Sequence, residues 1–209
     1  MTDLASQGAT APPTDSDAAG PRTRRDKPDA TPATGFTVWL TGLPSAGKTT
    51  IATALAGLLR ATGRRVQVLD GDEVRATGSP RLGFSRADRE THVRRVGYAA
   101  QRMAARGACV LVPVIAPYAG GRAAVRTRHA AEATPYVEVH VATPVEVCSR
   151  RDVKGLYAQQ AAGELTGLTG VDDPYEPPES PDLRLDTRDS TVSACAGRLY
   201  AHLMERGLV

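Results

Sequence analysis

Phe36-Thr37-Val38-Trp39-Leu40-Thr41-Gly42-Leu43-Pro44-Ser45-Ala46-Gly47-Lys48-Thr49-Thr50-Ile51 is the stretch whose reading decides the fold. Residues 36–41 are apolar or β-branched, and so short a run ending in glycine predicts a buried strand. Gly42 to Thr49 fits the spacing G-x-x-x-x-G-K-[ST] in full. That spacing has a physical reason. Glycines let the backbone curl until successive N–H groups face one anion. A helix beginning at Lys48 aims its positive end at the same point. Lys48 adds a point charge for the β and γ phosphates, and the Thr49 hydroxyl can ligate Mg²⁺. Strand, loop and helix thus predict a nucleotide phosphate site, without separating a kinase from a GTPase or a motor.

Working outward, the helical pattern runs from Lys48 to about Ala61, with Leu55, Leu58 and Leu59 assigned to its buried face and Gly63 ending it. Val66 to Leu69 reads as a second strand closed by Asp70-Gly71-Asp72. Asp88 to Arg106 reads as a long helix, Ala108 to Ile115 as a central strand, and about Gly121 to Glu132 as a helix. Tyr136 to Val141 reads as a strand, and Pro144 opens a helix that ends near Arg151. Leu183 to Leu185 is a short last strand and Ser190 to Arg206 the closing helix. Strands alternating with helices predict an α/β fold with a parallel sheet covered on both faces. Residues 152–182, rich in Gly, Pro and acidic side chains, read as a mobile lid.

The bulk properties narrow the function classes. The chain has 209 residues, enough for one α/β domain, expected over 34–209. Residues 1–33 carry almost no large apolar side chains and read as a disordered tail. Twenty-six basic against 23 acidic residues leave +3, too small and scattered an excess for a nucleic-acid surface. No apolar run approaches a membrane span, and the N-terminus lacks the apolar core of a secretory signal. Cys109, Cys148 and Cys195 show no metal spacing and read as reduced, buried thiols, so a cytoplasmic location is expected.

The acceptor side follows the second strand, whose C-terminal end faces the ligand crevice of an open α/β sheet. Asp72 there suits orienting Mg²⁺ or taking the proton of an attacking hydroxyl, and Arg75 suits an acceptor anion. Phe84, in Leu82-Gly83-Phe84-Ser85, lies outside any core periodicity and suits stacking on a base. Arg89 reaches toward a phosphate, and Arg94 and Arg95 extend the basic face.

These residues together resemble the adenylylsulfate kinase family. The likeness runs from about Gly35 to the C-terminus. Its landmarks are Thr37 to Leu43, the phosphate loop, Leu69-Asp70-Gly71-Asp72, Leu82 to Ser85 with Asp88-Arg89, and Ile115-Ala116-Pro117-Tyr118. Arg151-Asp152-Val153-Lys154-Gly155-Leu156-Tyr157 and Thr169 to Glu176 complete them. The resemblance implies an ATP·Mg²⁺-dependent enzyme, often dimeric, that phosphorylates the ribose 3′-hydroxyl of adenosine 5′-phosphosulfate (APS). It implies catalytic roles for Lys48, Asp72 and Lys154, and Mg²⁺ at Thr49 and Asp72. ATP binding falls to Gly42, Leu43, Pro44, Ser45, Ala46, Gly47, Lys48, Thr49, Thr50 and Arg151. Acceptor binding falls to Asp70, Asp72, Arg75, Phe84, Arg89, His92, Ile115, Ala116, Lys154, Gly155, Leu156, Leu168 and Thr169.

Four positions depart from the family pattern. His92 stands where an asparagine is usual, and Ala116 where many members have a serine, so transfer here must be direct. Leu168 replaces a second base-stacking aromatic, and Ala161 a lid arginine. A kinase for another metabolite and a nucleotide-binding regulator therefore stay open beside the APS reading.

Overall fold

The run Phe36–Thr41 is strand β1, fully buried, at the centre of a five-stranded sheet. A computed structural model describes residues 35–78 and 82–209. The segment read as a tail, 1–33, lies outside the described residues.

In chain order β1 is followed by α1 (Lys48–Ala61), β2 (Val66–Val68), α2 (Gly71–Gly78), α3 (Arg86–Ala104) and β3 (Cys109–Pro113). Then come α4 (Ala119–Ala131), β4 (Tyr136–Val141), α5 (Val145–Arg151), α6 (Leu156–Ala161), β5 (Leu183–Leu185) and α7 (Val192–Glu205). The sheet order is β2-β3-β1-β4-β5 and every pairing is parallel. Since β2 lies beyond β3, the chain order reverses beside β1, which opens a crevice at the C-terminal strand ends.

Alternation along β1 divides the core between the two faces. Phe36, Val38 and Leu40 pack with Ile51, Leu55 and Leu59 of α1 and Leu199 and Leu203 of α7. Trp39 faces the other way, with Val93, Val96 and Ala100 of α3 and Val125 of α4. Leu58, assigned by sequence to the buried face of α1, is instead 42% exposed. At 100° per residue it lies roughly 90° from the centre of the stripe formed by Ile51, Ala52, Leu55, Ala56 and Leu59.

Two short helices were not foreseen. α2 begins at once after Asp70, where the sequence suggested only a turn, and α6 falls inside 152–182. Both are too brief for hydrophobic periodicity to declare them. α3 begins two residues earlier than expected because the Ser85 side chain accepts the N–H of Asp88 at 3.2 Å, an N-cap. The three cysteines are unpaired and buried, and among the described residues no helix is long and apolar enough to cross a membrane.

α3 and α4 meet at Gly97. A methyl group there would lie 2.5 Å from one Val125 methyl, 3.0 Å from the other and 3.3 Å from its Cβ. Overpacking costs about 1–3 kcal/mol, against a helix-propensity gain of about 1 kcal/mol for alanine over glycine. Gly97→Ala is therefore expected to lower stability by about 1 kcal/mol, read from the midpoint of denaturant unfolding. An unchanged or raised midpoint would show that the two helices part freely at this crossing.

Candidate active site

The phosphate loop joins β1 to α1 as the motif requires. Gly47, with φ 99°, precedes the helix in the left-handed region that glycine enters without a side-chain clash. The loop has little freedom beneath. Thr143 donates to the carbonyl of Ala46 at 3.0 Å, and the Tyr157 hydroxyl donates to that of Pro44 at 3.1 Å. Lys48 folds back over its own loop, its Nζ donating to Gly42 O at 2.9 Å and Leu43 O at 2.7 Å. It is only 9% exposed, and burial pushes its pKa down to about 8.

Two carboxylates at the end of β2 divide the neighbouring contacts. Asp70 accepts the Thr49 hydroxyl at 2.9 Å and, through its other oxygen, the N–H of Asp72 at 2.9 Å. Asp72 instead pairs with Lys154. That hydrogen bond is the main reason the Lys154 pKa is raised. The family resemblance assigns Mg²⁺ to Thr49 and Asp72; in the structure the Thr49 hydroxyl donates to Asp70, which brings a second carboxylate to that place. A hydroxyl and carboxylates together form a hard-oxygen set of the kind Mg²⁺ accepts alongside nucleotide phosphates.

One cavity of about 610 Å³ contains both halves of the site. Pro44 to Thr50, Asp70 and Asp72 line it, as do Phe84, Arg89 and Ile115, and then Arg151, Lys154, Leu156, Leu168 and Thr169. Phe84 is 70% exposed, with the guanidinium of Arg75 5.0 Å and that of Arg89 5.7 Å from its ring centre. Arg89 is nearly buried. It donates to Phe84 O at 2.7 Å, Thr169 Oγ1 at 2.7 Å and Gly167 O at 2.6 Å, and meets Asp173 at 3.5 Å. Leu168 is held in the wall by Asp172, which accepts the N–H groups of Gly167 and Leu168 at 2.8 and 2.6 Å.

Several sequence-assigned residues stand behind this lining. Gly42 and Leu43 contribute their carbonyls to Lys48. Arg75 donates to Gly83 O at 2.8 Å, and Gly155, at φ 68°, precedes α6. The Ala116 methyl belongs to the core cluster around Trp39. Its carbonyl accepts from Arg122 at 2.8 Å. His92 is 4% exposed, and its pKa falls to about 4, first through burial and then through Arg75. The imidazole is therefore neutral near pH 7. Ala161 is exposed at the end of α6.

Sequence reasoning missed the wall made by Thr187, Ser190, Val192 and Cys195. Arg151 is anchored there, donating to Thr187 Oγ1 at 2.9 Å and Thr187 O at 2.7 Å. No local motif marks these residues; only the position of β5 beside β4 brings them to the cleft.

A phosphate loop opening into the same cleft as a carboxylate–lysine pair and an aromatic–arginine platform defines a P-loop kinase for a small molecule. Residues 34–186 match the adenylylsulphate kinase family model. The adenylyl-sulfate kinase of Synechococcus sp. (strain JA-2-3B'a(2-13)) is 46% identical over 175 residues, 84% of this chain and 98% of that one. A probable bifunctional SAT/APS kinase 2 of Sorangium cellulosum (strain So ce56) is also 46% identical over 175 residues, but the matched region spans 29% of its length. Among solved structures, the Mycobacterium tuberculosis APS kinase CysC in complex with AMPPNP and APS superposes with a TM-score of 0.80 at 43% identity, over 83% of this chain and 99% of that one. The chain belongs to the adenylylsulphate kinase family.

The depressed Lys48 pKa has a measurable consequence. The ammonium form, which bonds phosphate, is depleted as pH rises through about 8. Bound phosphate favours that form, so nucleotide binding should take up protons above this pH and its affinity should fall. Calorimetric titration with an ATP analogue in two buffers of different ionisation enthalpy checks both. An affinity that stays flat across the range would show that Lys48 does not titrate there.

Proposed function

We infer that the protein transfers the γ-phosphoryl group of ATP to the 3′-hydroxyl of APS, giving ADP and 3′-phosphoadenosine 5′-phosphosulfate. One observation carries this reading: the phosphate loop and the Asp72, Phe84 and Arg89 side chains line a single continuous cleft. The loop amides and Lys48 hold the triphosphate. Phe84 offers a face to the adenine of the acceptor, and Arg89 offers charge to its phosphosulfate, with the charge of Arg75 adding from behind the lining. Asp72, oriented by Lys154, receives the hydroxyl proton while that oxygen bonds to the γ-phosphorus. The bond from the γ-phosphorus to the β–γ bridging oxygen breaks, and ADP carries the electrons away. Little beyond positioning and charge neutralisation is required for such an in-line transfer.

Mg²⁺ belongs to the reading as the ion that would neutralise phosphate charge, and Thr49, Asp70 and Asp72 are the residues that would hold it. Ala116, carrying no hydroxyl and packed into the core, supports direct transfer over a phosphorylated intermediate at that position. Residues 152–182 act as the lid over the cleft, and the enzyme works in the cytoplasm as a homodimer.

The test is ADP release in a coupled assay, with the product identified chromatographically. ADP formation should require APS and yield the 3′-phosphorylated product; turnover with a different hydroxylated metabolite but none with APS would overturn the acceptor assignment. Lys48→Ala should reduce turnover at least about a thousandfold, since it removes the charge at the transferring phosphate. Leu168→Phe restores an aromatic face to the cleft wall. As stacking is worth about 1–3 kcal/mol per base, it should lower the KM for APS by roughly tenfold. An unchanged KM with intact folding would place the adenine away from Leu168.

A further inference from the structure

Helix α4 starts poorly by its own sequence. Its N-cap is Tyr118, which supplies no side-chain hydrogen bond, and its first turn contains Ala119, Gly120 and Gly121. Glycine is among the weakest helix formers, and a helix start leaves several N–H groups without partners. The missing cap comes from 57 residues further on, where a carboxylate oxygen of Glu176 accepts the N–H of Ala119 at 2.6 Å. A negative charge also suits that end of the helix dipole.

The same residue ties two stretches of backbone together. The N–H of Glu176 donates to Pro117 O at 2.8 Å, and its carbonyl accepts Arg122 at 2.6 Å. Arg122, buried in the first turns of α4, also donates to Ala116 O and pairs with Glu138 at 3.1 Å. Either side of Glu176 the strap reaches further into the site. Asp173 meets Arg89 at 3.5 Å and the Tyr118 hydroxyl at 3.3 Å. The Tyr175 hydroxyl lies 3.1 Å from Thr41 Oγ1, which in turn donates to Ile115 O at 2.5 Å. Ile115 and Arg89 both line the cleft. The Arg86–Glu176 ion pair, at 3.5 Å between half-exposed groups, contributes little by comparison.

We propose that Glu176 is a positioning residue for the acceptor: by capping α4 from a distant segment, it fixes the 115–118 loop against the 167–176 strap. The nucleotide half of the cleft, built on α1 and Arg151, makes no hydrogen bond or ion pair with Glu176 itself. The effect on kinetics rests on the APS reading above, whereas the cap itself can be measured in the free enzyme.

The experiment compares the full-length wild type with Glu176→Ala and Glu176→Gln, measuring KM for APS, KM for ATP and amide hydrogen exchange over residues 119–122. Glu176→Ala should raise the KM for APS about tenfold, the scale of a lost side-chain cap, with the KM for ATP within about twofold. Amide exchange at the start of α4 should quicken. Glu176→Gln, whose amide oxygen can accept the same N–H, should recover most of both losses. Parallel changes in the two KM values, no change in either, unaltered exchange, or a glutamine variant no better than alanine would each overturn the proposal. If the wild type does not use APS, the acceptor reading fails by itself, and exchange at α4 in the free enzyme decides the capping role.

Discussion

A lysine ammonium buried over its own phosphate loop is the constraint around which the molecule is arranged. Lys48 is almost fully buried and satisfied only by two carbonyls of its own loop. Burying an ammonium without a counter-charge in contact is costly, which is why its pKa falls. The loop can present that charge because β1 beneath it is buried on both faces and because Thr143, Tyr157 and Thr187 fasten its carbonyls from outside. A triphosphate would relieve the desolvated charge by supplying the missing anion. Affinity for phosphate is thus prepared before any nucleotide arrives.

Two aspartates separated by one glycine take different work because α2 begins between them. Asp70, at the end of β2, reaches the Thr49 hydroxyl and caps the turn by accepting the N–H of Asp72. Asp72, one step into the helix, points to Lys154 on the segment that follows α5. The lysine neutralises part of the charge that Asp72 brings to the cleft. It also links the start of α2 to the segment between α5 and α6. Arg89 makes a comparable link on the opposite side, through Gly167, Thr169 and Asp173.

The departures from the family pattern have unequal physical weight. At position 116 the methyl sits among core side chains, so the loss of a hydroxyl there is a packing matter. His92 is enclosed and neutral at ordinary pH, so it supplies hydrogen-bonding capacity without charge. Ala161 is exposed on α6. Leu168 alone of the four lines the cleft, and it offers apolar contact where an aromatic ring would add stacking.

By itself the sequence determined the phosphate loop, the strands and the long helices, since each is written in local spacing. β4, β5 and α1 keep the limits read from the residues alone, and the long helices start or stop within two residues of them. It also singled out Lys48, Asp72, Phe84 and Arg89 by residue type and setting, and Lys154 through the family resemblance; the structure brings all five to one cavity. Only the tertiary structure decided that Asp70 is the partner of Thr49, that Ala116 and His92 turn inward, and that Thr187 to Cys195 close the nucleotide side. It alone showed Leu58 exposed and Glu176 capping α4. The physical reason is common to all of these. Periodicity and capping patterns act over a few residues, whereas these contacts join segments far apart in the chain, whose meeting is set by strand order and by the direction of each side chain from its backbone.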